Sequence, residues 1–229
     1  MLLTFSRLDR QISQVIEGLL QSHLSESSIS ELKTREIIDQ VNDRIYDDLI
    51  CFSNKDPAAK KSPEYIFESY LSFQALMYYR VANALYYSCH SNGNEITHLK
   101  IVARRISEQA KAKSGVEIHP AATIGRRCII DHGYGTVIGE TCVGETCEIG
   151  DDCYILQGVI LGARGISGNQ YSKRHPTLGN RVEVGGCVRI FGAVTIGDDV
   201  KISPYIVITE DIPANSKVLL RTTNQIIKK

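Results

Sequence analysis

Over the last third of the chain an aliphatic side chain recurs every six residues: Leu178, Val184, Ile190, Ile196, Ile202 and Ile208. Four residues beyond each stands a second apolar side chain, Val182, Val188, Val194, Val200, Ile206 and Ile212. Gly179, Gly185 and Gly197 follow three of the first set. A period of six fits neither an amphipathic helix, at 3.6, nor a hairpin strand, at two. It is the signature of a parallel β-helix of hexapeptide strands, in which each repeat forms one short side of a triangular coil. One repeat cannot bury its apolar side alone, so the coils must stack around a continuous core.

The register continues upstream through Ile118, Ile124 and Ile130, changes phase at Ile138, and resumes at Ile149, Ile155 and Leu161. About five coils of eighteen residues fit between Val116 and Pro213. Three segments break the pattern. They are Asp131-His132-Gly133-Tyr134-Gly135, the doubled Gly-Glu-Thr-Cys at 139–142 and 144–147, and the excursion from Ala163 to Thr177 that ends in Lys173-Arg174-His175-Pro176. A coil that carries chemistry departs from the rule a purely structural coil obeys, and long loops on repeat proteins carry binding surface.

Residues 1–114 follow a different rule. Ile12, Val15, Ile16, Leu19 and Leu20 share one helical face, as do Ile38, Val41, Ile45 and Leu49. Ser62-Pro63 starts a third helix, with Ser62 as N-cap, that is expected to run through Leu85 and end before the loop Ser91-Asn92-Gly93-Asn94. A fourth is expected from about Glu95 to Lys113. The apolar excess at Tyr78, Tyr79, Tyr86 and Tyr87 reads as contact with other subunits, with a monomeric helical cap as the alternative. The chain thus divides into an all-helical domain (1–114), a β-helix domain (115–213) and a tail (214–229), an α+β class.

Basic and acidic residues balance at 26 each, so net charge points to neither nucleic acid nor a membrane surface. Apolar runs are too short to span a bilayer, and the start Met1-Leu2-Leu3 lacks a secretory layout. Seven cysteines without a CxxC spacing argue against a disulfide framework and a zinc ribbon. Cys128, Cys142 and Cys153 occupy small inward slots of the repeat. A cytoplasmic protein is expected.

Two of the breaks join an imidazole to a charge, Asp131-His132 and Arg174-His175. Histidine suits proton transfer near neutrality, and a carboxylate on its other ring nitrogen fixes the tautomer. Glu117, fifteen residues before His132 and so close to one coil away, is the candidate orienting carboxylate. Gly133 and Gly135 would let a ligand approach the backbone. Arg174 offers a planar fork for a carboxylate. His119 reads as a structural corner, His23, His90 and His98 as solvated, and Lys201 on the repeat alone as a surface lysine.

The string Val116-Glu117-Ile118-His119-Pro120-Ala121, with Asp131-His132, Arg174-His175-Pro176 and Ser72-Phe73-Gln74-Ala75-Leu76, resembles the serine O-acetyltransferase family over roughly residues 50–213. The resemblance implies a left-handed β-helix, three chains side by side with sites between neighbours, and in many members two trimers joined through the helices. It implies His132 as general base, with Glu117 in place of the family's usual Asp. Asp56 and Asp131 would receive the amino group of serine, and Arg174 with His175 its carboxylate. Acetyl-CoA would lie near Gly162, Ala163, Gly186 and Lys201, and no metal is implied. The activity implied is acetyl transfer to the L-serine hydroxyl, the first step of cysteine biosynthesis. Tyr134, where the family has a small residue, would reshape the acceptor pocket. Docking on cysteine synthase uses a terminal Ile in the family; the tail here ends Ile226-Ile227-Lys228-Lys229, so that partner is not expected. The competing readings are an acetyltransferase acting on homoserine, a sugar or another hydroxylated acceptor, a zinc site on His119, His132 and His175, and a non-catalytic assembly module.

Overall fold

The computed structural model describes residues 2–25, 34–88, 98–139, 147–165 and 173–221. The helices are α1 (Leu2–His23), α2 (Thr34–Lys55), α3 (Pro63–Ser69), α4 (Leu71–Tyr87) and α5 (His98–Ser114), with a 3-10 turn at Pro57–Ala59. Their apolar stripes meet in one core of Ile12, Ile16, Ile45, Leu49, Phe73, Val81 and Ile106. Ser62 caps α3 as expected, its side chain accepting from the Tyr65 N–H. The single helix expected from Ser62 to Leu85 is two. Tyr70 leaves helical geometry (φ −93°, ψ 108°), and its hydroxyl donates instead to Asp56 Oδ2 at 2.6 Å. The expected loop Ser91–Asn94 lies outside the described residues.

The strands are β1 (Glu117–Ile118), β2 (Thr123–Ile124), β3 (Ile129–Ile130), β4 (Val137–Ile138), β5 (Glu148–Ile149), β6 (Tyr154–Ile155) and β7 (Ile160–Gly162), followed by β8 (Thr177–Leu178), β9 (Glu183–Val184), β10 (Arg189–Phe191), β11 (Thr195–Ile196), β12 (Lys201–Ile202), β13 (Val207–Ile208) and β14 (Lys217–Val218). They form three parallel sheets: A (β1-β4-β7-β10-β13), B (β2-β5-β8-β11) and C (β3-β6-β9-β12-β14). The chain visits A, B and C in turn, so five coils stack into a triangular parallel β-helix; it is of the left-handed kind, against the usual right-handed crossover. The repeat residues stack in register, Ile118 on Ile138 and Leu161 in sheet A, Ile124 on Ile149 and Leu178 in sheet B. Cys128 and Cys153 are fully buried as expected, and so is Cys147; Cys142 lies outside the described residues. β14 pairs with β12 and carries the stack beyond Pro213, where the sixfold pattern stops being legible.

The first coil has no coil beneath it, and its open edge would leave backbone groups unpaired. Side chains of α2, α4 and α5 take them up. The Tyr79 hydroxyl donates to Ala122 O (2.6 Å) and accepts from the Ile124 N–H (3.1 Å). Arg80 donates to Ile124 O and Gly125 O, Asn83 to Pro120 O, and Ser107 to Ile118 O. Asp48 accepts from Arg80 and from the Cys128 N–H. The expected subunit-contact role is therefore wrong for Tyr79, which is 1% exposed and serves the joint between the two halves. Tyr87 also reaches that joint, donating to Ala121 O, although its ring stays exposed.

At the corner between sheets B and C, Arg127, Asp152, Arg181, Asp199 and Asn215 all adopt φ near +60°. The repeated left-handed corner stacks opposite charges: Arg127 pairs with Asp152 at 2.7 Å and Arg181 with Asp199 at 2.7 Å. Arg127 holds the Asp152 carboxyl below its ordinary range. A depressed folded-state pKa adds stability above the unfolded value, near 3.9, that is lost as pH falls through the folded value. Both side chains are about one-third exposed (39% and 31%), so solvent limits the gain to roughly 1 kcal/mol or less. Asp152→Asn is expected to lower the thermal midpoint slightly at pH 7 and by less at pH 3, as the carboxylate's contribution fades. An equal deficit at both pH values would remove the ion pair as its cause.

No described helix is long and apolar enough to cross a membrane.

Candidate active site

Three of the four corners from sheet C to sheet A take four residues, at 156–159, 185–188 and 203–206; the corner at 131–136 takes six. The added length is spent on two successive left-handed residues, His132 (φ 58°) and Gly133 (φ 71°). Gly133 is required by packing within the chain. A Cβ there would come within 2.7 Å of Val116 and 3.0 Å of Ser72. The reversal throws the His132 side chain outward, 72% exposed, with Nε2 3.9 Å from Asp131 Oδ2.

Asp131 is held from the next coil. Tyr154 in β6 pairs in register with Ile129 and donates its hydroxyl to Asp131 Oδ2 at 2.8 Å. The helical half supplies a matching pair. Asp56 caps the 3-10 turn, Oδ1 accepting from the Ala58 N–H, while Oδ2 accepts from Tyr70. The Tyr70 ring sits edge-on against Phe52 and Tyr65, 5.5 and 5.7 Å between centroids. The four groups lie within electrostatic reach of one another, and both phenols are pushed well above their ordinary range: Tyr70 first by its bond to Asp56, Tyr154 first by burial and then by Asp131. Both therefore remain O–H donors at neutral pH. Asp56 and Asp131 are thus each held by a phenol on the same side of the corner; Tyr70 and Tyr154 had no signal in a sequence read for helix and sheet periodicity.

Glu117 stands on β1, the first strand of sheet A. It faces outward from β1, where its carboxylate meets Lys111 Nζ at 2.6 Å and Arg104 at 3.5 Å, both on α5. Tyr134 lies over Gly115, where a Cβ would fall 2.5 Å from its ring.

Arg174 and His175 occupy a different corner, from sheet A to sheet B, just before β8. His175 is buried at 3%, its ring lying against Gly139 one coil below: a Cβ on Gly139 would be 2.8 Å from it. Lys173 anchors this segment on Glu148 at 2.8 Å. Gly162 and Ala163 start the same corner. Gly186 lies on the corner from C to A, and Lys201 faces outward on sheet C, paired with Glu183 at 2.8 Å. One chain therefore does not bring Arg174 and His175 to His132; it carries two half-sites on two corners. The doubled Gly-Glu-Thr-Cys segment and the tip of the 163–176 excursion lie largely outside the described residues, as does the tail from residue 222. Among the described residues no three His, Cys, Asp or Glu side chains group as metal ligands.

A groove of about 570 Å³ runs up sheet C from Tyr154, lined by Leu156, Val184 and Ile202 with Lys55, Lys201 and Lys217. It starts at the residue that holds Asp131.

No family model matches the chain. The serine acetyltransferase of Helicobacter pylori (strain ATCC 700392 / 26695) is 44% identical over 162 residues, 71% of this chain and 84% of that protein. The serine acetyltransferase of Synechococcus elongatus is 40% identical over 165 residues, 72% of this chain and 60% of that one. Among solved structures, serine acetyltransferase isoform 3 of Entamoeba histolytica in complex with cysteine superposes with a TM-score of 0.73 and 31% identity, covering 98% of this chain and 73% of that one. Soybean serine acetyltransferase complexed with serine gives 0.71 and 27%, covering 92% and 80%. With 44% identity to a serine acetyltransferase over 84% of its length, the chain belongs to the serine acetyltransferase family.

Proposed function

We propose that the protein transfers the acetyl group of acetyl-CoA to the hydroxyl of L-serine, giving O-acetyl-L-serine and CoA. The observation that carries this reading is the exposed His132 set beside Asp131 and Asp56 on an enlarged corner, in a chain whose relatives are serine acetyltransferases. A thioester is already activated, so the enzyme must align two substrates and move one proton. His132 takes the proton of the serine hydroxyl as its oxygen attacks the thioester carbonyl. When the tetrahedral adduct collapses, the C–S bond breaks and the proton passes to the departing thiolate. Asp56 and Asp131 supply the negative charge that a serine ammonium seeks, and Arg174 the fork for its carboxylate. Glu117 stands apart in this assignment, its carboxylate engaged by Lys111 and Arg104.

The two half-sites argue for a threefold ring. Closed cyclic symmetry brings unlike patches of neighbouring chains together, here the C-to-A corner of one and the A-to-B corner of the next. Sheet A lies between these corners and would face the axis. Its outward side chains include Val137, Ile160 and Val207, whereas sheet B presents Thr123, Glu148, Thr177 and Thr195. Equal heights around the axis would separate His132 from Arg174 by somewhat more than one coil, about 6 Å along the stack, a span that suits one amino acid. The sheet C groove carries the ammonium groups of Lys55, Lys201 and Lys217, with Glu183 beside Lys201, and these would meet the CoA phosphates; Gly186 follows the groove residue Gly185. Gly162 and Ala163 would contribute from the neighbouring chain.

The test is thiol release from acetyl-CoA with L-serine, L-homoserine and a sugar panel as acceptors. Turnover specific to L-serine, cut by two orders of magnitude or more in Arg174→Ala, is expected. Preference for an acceptor without a carboxylate would transfer the protein to another acetyltransferase activity of the same fold.

A further inference from the structure

Asp56 stands at the 3-10 turn of the helical half and Asp131 on the enlarged corner of the β-helix. Here each is fixed by a phenol, Asp56 by Tyr70 at 2.6 Å and Asp131 by Tyr154 at 2.8 Å. The two attachments differ in kind. Tyr70 belongs to the break between α3 and α4, on the same helical half as Asp56. Tyr154 belongs to the second coil and reaches back across the strand ladder to the enlarged corner. It bonds the same oxygen, Oδ2, that lies 3.9 Å from His132 Nε2. Its ring also forms the end wall of the lysine-lined groove.

We infer that Tyr154 is a positioning residue for acetyl transfer: by pinning Asp131 Oδ2 it aims the other carboxylate oxygen at the acceptor's ammonium and holds the Asp131-His132 corner against the end of the groove. The inference rests on the serine acetyltransferase reading. Tyr154 touches no reacting atom in this scheme and acts through Asp131. The residue type fits the task, since a phenol on a rigid strand reaches across one coil spacing, about 4.8 Å, where a serine or threonine would fall short. An aromatic ring at this place separates the polar acceptor cluster from the groove beyond it, which Leu156 and the lysines line.

A double-mutant cycle tests it, with Tyr154→Phe, Asp131→Asn and the pair assayed by thiol release, and with KM for L-serine and for acetyl-CoA determined separately. Tyr154→Phe is expected to raise KM for L-serine about tenfold, the loss of one hydrogen bond to a charged group, with KM for acetyl-CoA within twofold of the parent. The double variant is expected to be no worse than Asp131→Asn alone, because the charge that Tyr154 aims is already gone. A thermal melt accompanies each variant, and Tyr154→Met, which keeps bulk without the ring, replaces Tyr154→Phe if the latter does not fold. Losses that add across the cycle, or an unchanged KM for L-serine, would overturn the inference and leave the activity standing. Absence of L-serine turnover in the parent protein would instead overturn the activity, and the inference with it.

Discussion

His132→Ala is expected to lower the turnover number with L-serine by 10²–10⁴-fold, the usual contribution of a positioned general base. Acetyl-CoA binding, followed by equilibrium dialysis, should stay at the parent value. The side chain stands on an enlarged corner, 72% exposed, and the apolar cores do not include it. Its removal therefore deletes a proton acceptor without opening a cavity, and the melting temperature should hold. This separates the catalytic role from a structural one. The left-handed backbone at residue 132 disfavours β-branched replacements, so Ala and Gln are the informative substitutions. Turnover within a few-fold of the parent would move the base elsewhere in the site.

Arg80→Met is expected to destabilise the folded chain by about 3–5 kcal/mol, the cost of leaving a buried carboxylate unpaired. Arg80 and Asp48 are 3% and 1% exposed and 2.9 Å apart. Burial pushes Asp48 above its ordinary range, and Arg80 pulls it back. The guanidinium also takes up Ile124 O and Gly125 O at the open edge of the first coil. Its loss leaves two carbonyls without a donor and the Asp48 anion without its counter-charge, with only the Cys128 N–H still bonding it, at the surface where helices meet sheet. Urea titration of the single variant and of Asp48→Leu/Arg80→Met measures the effect. The double variant removes the stranded charge and should recover part of the loss, since an apolar pair of similar volume can replace a buried ion pair. If the single variant loses less than about 1 kcal/mol, the pair behaves as an exposed one and does not seal the edge.

The helical cap shows why such a residue is hard to read in advance. Arg80 and Tyr79 lie in a segment whose apolar spacing announces a helix, and that spacing says nothing about what lies above it. Tyr79 looked like surplus hydrophobicity because a period of 3.6 assigns a face, and the partner of a face is a tertiary fact. The break at Tyr70 was invisible for the same reason. Neither Pro nor Gly marks it, and what rewards the departure from helical geometry is a hydrogen bond to Asp56, fourteen residues away in the chain.

The β-helix was legible because its period is set by covalent geometry. Six residues make one side of the triangle, so Ile118, Ile124 and Ile130 must face inward whatever the rest of the chain does. The enlarged corner was legible for the complementary reason: Asp131-His132-Gly133 interrupts a period that its neighbours keep. Corner occupancy was not. His132 and His175 look equivalent as loop histidines, yet one stands 72% exposed and the other is buried against Gly139 on a different edge of the prism. Glu117, one coil from His132 by count, is drawn to Lys111 and Arg104 because α5 packs beside β1. Local repetition thus determined the coil, its chemistry-bearing breaks and the helical half. Which side chains meet was decided by tertiary packing alone, since hydrogen bonds and ion pairs of a few ångströms depend on distances between coils and helices that no sequence period encodes.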